Sequence, residues 1–390
     1  MMTYMGSFLC ARCVTAGLFA IVILVGVPCA SRADDLTVKP AIKRGAEYIQ
    51  RHQLPDGSWE GRGHRLGETA LAGLALLAAG YPADSPAVAG AVRAVRRLAS
   101  SNGQTYDVSL AVMFLDCVGH RNDSGMIRDL GRAIVAGQAA DGCWTYSLSG
   151  VTASGDNSNA QFAVLACWVC RRHGAAMDDA ILKADRYFRS TVNRADGGWG
   201  YTPGGSSTPT MTCAGLVALA AQRGMSITRI EAASADQRKA PKQQDGPARD
   251  LAPAKDDPVV AAALAYITKQ MRENRVEAQG KIFAGLYFYW SLERVAVIYG
   301  LKTIYDLDWY QWGAKRLLSM QRRDGGWGGQ DCVDTAFAIL FLSKANVAED
   351  LTNALGGWRH GEPQGQPQPK DTFLRVEKKR EAGGEGTKKR

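Results

Sequence analysis

Cysteine is scarce in this chain, with nine residues in 390. The six that follow residue 33 are Cys117, Cys143, Cys167, Cys170, Cys213 and Cys332. Six cysteines in so long a chain cannot form the dense disulfide framework that holds small secreted domains together. Cys167 and Cys170, with His173 close behind, have a metal-like spacing but no second pair of ligands. The sequence therefore favours buried thiols, with one bridge at most, and predicts neither a metal nor a cofactor.

A basic stripe is also missing, and so is any long apolar run after residue 33. The net charge is +9, but the basic residues of 34–360 are spread out, which argues against a nucleic-acid partner. No segment after residue 33 is apolar enough to span a bilayer, and patterns typical of β-strands are nearly absent. These absences favour an all-helical domain.

The first 33 residues have the layout of a secretory signal peptide. Arg12 precedes an apolar run from Val14 to Val27, and small residues follow around Ala33. The run is shorter than the roughly 20 apolar residues that a membrane-spanning helix needs. We therefore predict cleavage after Ala33 and a secreted or periplasmic protein.

One loop pattern recurs four times along the chain. It consists of Gln or Asn, two variable residues, Asp-Gly, one more residue and Trp. The copies occupy 53–59, 138–144, 193–199 and 321–327, and they end on Trp59, Trp144, Trp199 and Trp327. Asp-Gly favours a tight turn, and the tryptophan offers a large apolar face to a neighbouring helix. We interpret these loops as structural and not as a catalytic site.

Helical patterns flank each loop, and those that follow a loop are richer in small and apolar residues. With two degenerate copies included, the sequence predicts six helix pairs that close a ring within 34–360. The first helices of the pairs, which form the outer ring, are predicted at 41–51, 87–98, 126–137, 178–191, 258–272 and 308–320. The second helices, which form the inner ring, are predicted at 67–79, 107–118, 158–172, 210–223, 281–300 and 333–343. A flexible insert is expected at 226–258, and a disordered basic tail at 361–390.

The four loops resemble the QW repeats of squalene-hopene cyclases and of the wider terpenoid-cyclase and protein-prenyltransferase family, over about residues 40–345. The resemblance implies an all-α (α/α)6 toroid whose centre holds a polyisoprenoid chain. It thus implies an isoprenoid or another apolar small molecule as the ligand.

The same resemblance identifies candidate acids. Cyclases of this family carry a motif Asp-x-Asp-Asp-Thr-Ala, in which the middle Asp protonates an alkene, and the matching run here is 331–336. The donor's position is occupied by Val333, which cannot deliver a proton. Asp331 and Asp334 remain as candidate catalytic residues. The zinc site of the prenyltransferases is not expected, because no histidine follows in an inner helix.

Further candidates lie at the predicted starts of the inner helices. They are Glu68, Asp107, Asp156 and Asn159, together with Tyr287 and Trp290 of the fifth inner helix. They either line a ligand cavity or serve as helix caps and core residues, and Asp334 has the same two interpretations. Asp308 resembles part of the cyclase acid motif, but we predict that it caps a helix. The favoured function is a toroid that binds an isoprenoid or other apolar ligand, with catalysis left open. The alternatives are a scaffold that binds a protein of the cell envelope and, less favoured, a sugar-cleaving enzyme.

Overall fold

Thirteen α-helices and one short 3-10 helix, Arg121–Asp123, make up the regular structure of the described residues. The computed structural model describes residues 35–149, 155–239, 257–275, 286–329 and 331–355, all within one unit of the chain, Ala33–Arg390. In these ranges β-structure is limited to isolated bridges, which confirms the all-helical prediction. The predicted signal peptide and the tail lie outside the described residues.

Even-numbered and odd-numbered helices differ in how they are buried. In chain order they are α1 (Asp35–Arg51), α2 (Arg65–Ala78), α3 (Pro86–Ala99), α4 (Thr105–Val118), α5 (Ser124–Ala136), α6 (Asn157–Arg172), α7 (Asp178–Thr191), α8 (Pro209–Lys239), α9 (Pro258–Arg272), α10 (Leu286–Ile298), α11 (Trp309–Met320), α12 (Val333–Ser343) and α13 (Glu349–Ala354). In α2 every residue from Leu66 to Leu76 is buried, whereas α5 buries only one face. Apolar helices therefore alternate with amphipathic ones, as the sequence predicts.

The even-numbered helices pack against one another in chain order. The neighbouring pairs are α2 with α4, α4 with α6, α6 with α8, α8 with α10 and α10 with α12, and α12 also packs against α2. Each odd-numbered helix up to α11 lies against at least one even-numbered helix next to it in the chain, and α1 also contacts α11 and α12. The last helices of the series thus meet the first.

The four tryptophan loops make equivalent contacts. Each indole N–H donates to a carbonyl of the preceding odd-numbered helix at 2.7 to 2.9 Å, and the tryptophans are at most 2% exposed. In three loops the glutamine amide donates to a carbonyl of the next odd-numbered helix, and for Gln321 this is Ala41 of α1. The turn glycine has positive φ in all four, for example 98° at Gly142. These contacts fit the structural role predicted for the loops.

Two helices differ from the prediction. α8 continues to Lys239, so the expectation of a flexible insert is wrong for 226–239, a stretch that contains no glycine or proline and several good helix formers. Residues 240–256 lie outside the described ranges. The six-residue helix α13 was not predicted, and it packs against α8 and α10. None of the described helices has the length and apolar character needed to cross a membrane.

Candidate functional site

Arg62 joins the two candidate acids near the start of α12 to the loop before α2. Its guanidinium donates to both carboxylate oxygens of Asp331, at 2.8 and 3.0 Å, and to Asp334 Oδ2 at 2.9 Å. Asp331 Oδ1 also accepts the backbone N–H of Val333 at 3.0 Å. The N-cap position is Cys332, so the interpretation of Asp334 as a helix cap is wrong. Asp331 stabilises the first turn of α12 instead.

Glu68 orders the loop that carries Arg62. This side chain is buried in α2, and its Oε1 accepts the backbone N–H groups of Arg62 at 2.7 Å and His64 at 3.2 Å. An acceptor placed there satisfies two backbone donors of the loop before α2. The structure therefore brings Glu68, Asp331 and Asp334 together around one arginine.

Asp107 borders this group through His64. The carboxylate is 2% exposed, its Oδ1 lies 3.0 Å from His64 Nδ1, and its Oδ2 accepts from Asn102 Nδ2 at 2.9 Å. Burial raises the pKa of Asp107, and the hydrogen bonds from Asn102 and His64 oppose that rise. The N-cap of α4 is Gln104, so Asp107 does not cap its own helix, and its backbone donor is Gly67 in the first turn of α2.

Asp156, in contrast, is the cap of α6. It accepts the backbone N–H of Asn159 at 2.9 Å and the Asn159 amide at 2.7 Å, and burial raises its pKa. The Tyr201 hydroxyl also contacts Asp156. Asn159 Oδ1 is buried and has no hydrogen-bond partner in the described part of the chain. Asp308 likewise caps α11, as predicted, by accepting the N–H of Gln311.

Tyr287 and Trp290 belong to a buried aromatic cluster. The ring of Phe162 from α6 lies 5.7 Å from Tyr287 and 5.0 Å from Trp290. Phe337 from α12 lies 5.6 Å from each of them, and Tyr106 from α4 lies 5.0 Å from Phe162. Centroid distances in this range are typical of favourable aromatic pairs. The cluster therefore joins four even-numbered helices.

Gln161 introduces polar atoms into the aromatic cluster. Its Oε1 accepts from the Tyr287 hydroxyl at 2.7 Å and from Ser291 Oγ at 3.3 Å. Gln161 Nε2 and Trp290 Nε1 are buried without a hydrogen-bond partner among the described residues. A buried donor left unpaired costs about 1–3 kcal/mol. The cluster thus offers two hydrogen-bond donors beside its apolar ring faces.

A pocket of about 390 Å³ borders Asp334. Its lining residues are Leu286, Met320, Arg322, Gly328 and Asp334. This volume falls in the range of about 300–1,000 Å³ that is common for small-molecule sites. A larger pocket of about 670 Å³ lies against α9 and the turn before α11, and none of the predicted site residues lines it. Leu286 directly precedes Tyr287 in α10, and no ring of the aromatic cluster lines the smaller pocket.

Sequence reasoning missed three residues of this region, namely Arg62, His64 and Gln161. Arg62 and His64 lie in a loop without a periodic signal, and Gln161 is a single polar residue in an apolar helical pattern. The six cysteines after residue 33 are free thiols, so the structure forms no bridge among them. Within the described ranges, no group of three or more His, Cys, Asp or Glu side chains is arranged to hold a metal ion.

Comparison with known proteins adds no relative to this picture. No family model matches the chain, and no curated protein matches its sequence. The function is therefore inferred from the residues of the site.

Proposed function

We propose that the chain is a secreted (α/α)6 toroid of the terpenoid-cyclase type that binds an apolar small molecule at the end where its even-numbered helices begin. The neighbour order of α2 to α12, which returns to α2, supports a ring of six inner helices. The hydrogen bond from Gln321 Nε2 to Ala41 O, 2.9 Å long, supports closure of an outer ring as well. The four tryptophan loops support the resemblance to QW repeats.

The observation that carries the ligand proposal is the pair of unpartnered donors in the aromatic cluster. Gln161 Nε2 and Trp290 Nε1 are buried among rings that present apolar faces. A ligand with an apolar body and one hydrogen-bond acceptor, such as an isoprenoid alcohol, satisfies both features. The pocket beside Asp334 supplies apolar contacts from Leu286 and Met320. The favoured ligand is therefore an apolar compound with an oxygen function.

Alkene protonation is not part of the proposal. Val333 has no proton to give, and Asp331 and Asp334 both accept hydrogen bonds from Arg62. A carboxylate that accepts from a guanidinium serves as an anion, not as an acid. The proposed role of these two residues is to hold the loop before α2 against α12, which keeps the ring closed.

The proposal is tested by mass spectrometry of small molecules that co-purify with the full chain, expressed with its own N-terminal segment. Met320→Trp fills the pocket and is expected to lower the amount of bound compound by about tenfold. Leu54→Trp is the matched control, because Leu54 and Met320 have similar exposure, 37% and 38%, and Leu54 does not line the pocket.

Two results would contradict this function. One is the absence of any apolar compound from the purified parent protein, which would favour the scaffold alternative. The other is equal loading of the Met320→Trp variant and the parent. Melting curves of all three proteins must agree within a few degrees, since a destabilised variant loses ligand for a different reason.

A further inference from the structure

A serine, a histidine and an aspartate form a hydrogen-bonded series far from the proposed ligand site. His173 Nε2 lies 2.8 Å from Asp116 Oδ1, and His173 Nδ1 lies 3.1 Å from Ser124 Oγ. Asp116 is near the end of α4, and nine residues of helix, about 14 Å, separate it from Asp107. His173 follows the last residue of α6, and Ser124 is the first residue of α5. Three helix ends thus bring these side chains together.

The partners of its two ring nitrogens determine the tautomer of His173. An aspartate carboxylate only accepts hydrogen bonds, so the Nε2 of His173 carries the hydrogen. Nδ1 of the neutral ring then has a free lone pair that accepts from the Ser124 hydroxyl. Arg172 Nη1, 3.5 Å from Asp116 Oδ2, helps to fix the carboxylate. The imidazole is therefore oriented as a general base for Ser124.

His173 uses its nitrogens in the reverse order to the serine proteases, where Nε2 faces the serine. The chemistry is equivalent, because both nitrogens belong to one conjugated ring. A proton taken up at Nδ1 gives an imidazolium that Asp116 stabilises through Nε2. His173 and Asp116 are 17% and 12% exposed, so the pair is partly shielded from water but still accessible.

The position of Ser124 also suits a nucleophile. Gly125 follows Ser124 in the first turn of α5, and in hydrolases the N–H of the residue after the nucleophile donates to the oxyanion. A Cβ added to Gly125 would meet no atom within 4 Å. There is consequently open space at Gly125, the neighbour of Ser124 in the chain.

We propose that Ser124, His173 and Asp116 form a serine-hydrolase site that cleaves small carboxylic esters. Ser124 Oγ attacks the ester carbonyl carbon and its proton passes to His173 Nδ1. The carbon–oxygen bond to the alcohol breaks, and the alcohol leaves with that proton. Water then attacks the acyl-serine and gives a proton to Nδ1, and the carboxylic acid leaves as Ser124 recovers its proton. This activity is independent of the proposed ligand-binding function.

The test combines a fluorophosphonate probe with hydrolysis of p-nitrophenyl acetate by the full chain. We expect the probe to modify Ser124, as located by peptide mass spectrometry. Ser124→Ala is expected to abolish labelling and to lower the hydrolysis rate by about 10³-fold. Ser85→Ala is the matched control, since Ser85 lies at the start of α3 as Ser124 lies at the start of α5, but Ser85 contacts no histidine. The Ser85→Ala variant should still be labelled by the probe and should still hydrolyse the ester at the rate of the parent.

His173→Gln separates activation of the serine from a purely structural contact. Gln can still hydrogen-bond to Ser124 and Asp116, so folding is preserved, but it cannot accept the proton. We expect labelling of Ser124 to fall by about 10²-fold or more. Failure of the probe to label Ser124 in a parent protein that melts cooperatively would overturn the proposal, as would equal labelling of the parent and His173→Gln.

Discussion

Glu293 and Arg294 follow one another in α10, and both side chains are completely buried. Arg294 Nε donates to Glu293 Oε2 at 2.6 Å, but Glu293 Oε1 and Arg294 Nη1 have no partner in the described ranges. Burial raises the pKa of Glu293 to about 7, although the ion pair with Arg294 opposes this rise. We therefore expect a core carboxyl of this protein to change charge near neutral pH.

We expect the free energy of unfolding to depend on pH through Glu293. The folded protein, with a pKa of about 7 in place of 4.5, binds the proton more tightly than the unfolded chain. The resulting stabilisation is fully present below about pH 4.5 and is lost as the pH rises through about 7, on the order of 3 kcal/mol in total. Glu293→Gln should remove this dependence. Urea unfolding of both proteins between about pH 5 and 8 checks it, and parallel curves would contradict it.

The two acids contacted by Arg62 should differ in their contribution to stability. Asp331 accepts two hydrogen bonds from Arg62 and one from the Val333 N–H, whereas Asp334 accepts one from Arg62. We expect Asp331→Ala to lower the free energy of unfolding by about 1–2 kcal/mol and Asp334→Ala by less than about 1 kcal/mol, because partly exposed ion pairs contribute little. Thermal melting gives the comparison, and an equal or reversed order would argue against this role for Asp331.

Residue-level prediction from the sequence succeeded where a chemical type has a local meaning. Asp156 and Asp308 cap helices because Asp suits the position before a first turn. The prediction of a helix cap failed for Asp334, whose partner Arg62 lies 272 residues away in the chain. A single sequence carries no signal for a pairing at that distance, so the centre of the site could not be found from it.

Among the loops, the one that ends on Trp144 shows what each contact contributes. Its indole is fully buried and donates to Ile134 O at 2.8 Å. Trp144→Ala is expected to lower the free energy of unfolding by about 3–5 kcal/mol through loss of packing. Trp144→Phe keeps most of the apolar contact and removes the hydrogen bond, so a loss of about 1–3 kcal/mol is expected. Chemical denaturation measures both, and a Trp144→Ala variant as stable as the parent would refute the structural interpretation.

Helix positions were the most predictable elements. The predicted ranges 178–191, 258–272 and 333–343 agree with α7, α9 and α12 at both ends, because apolar periodicity and flanking turn residues act locally. The end of α8 was missed, since polar composition alone does not distinguish an exposed helix from a linker. α13 is too short for a periodic signal, and its contacts with α8 and α10 come from tertiary structure.

In the whole molecule, the contacts of α12 with α2 and of α1 with α11 and α12 predict one cooperative domain. A protease site inserted after Asp245 divides the chain between α8 and α9. The fragments should stay associated, because α8 packs against α10 and α12 packs against α2. Size-exclusion chromatography of the cleaved protein without denaturant checks this, and elution as two separate fragments would contradict it.

The contact between Gln321 and Ala41 also constrains the time at which the protein can finish folding. The two residues are 280 positions apart, and ribosomes add roughly 5–20 residues per second. The helix α1 therefore waits roughly 15–60 s for α11 and α12 to be synthesised, and until then the part of its surface that they cover stays exposed. Contacts of such high sequence separation slow folding and leave the early segment open to aggregation. A nascent chain of this kind depends on being kept from other chains until its last helices have been made.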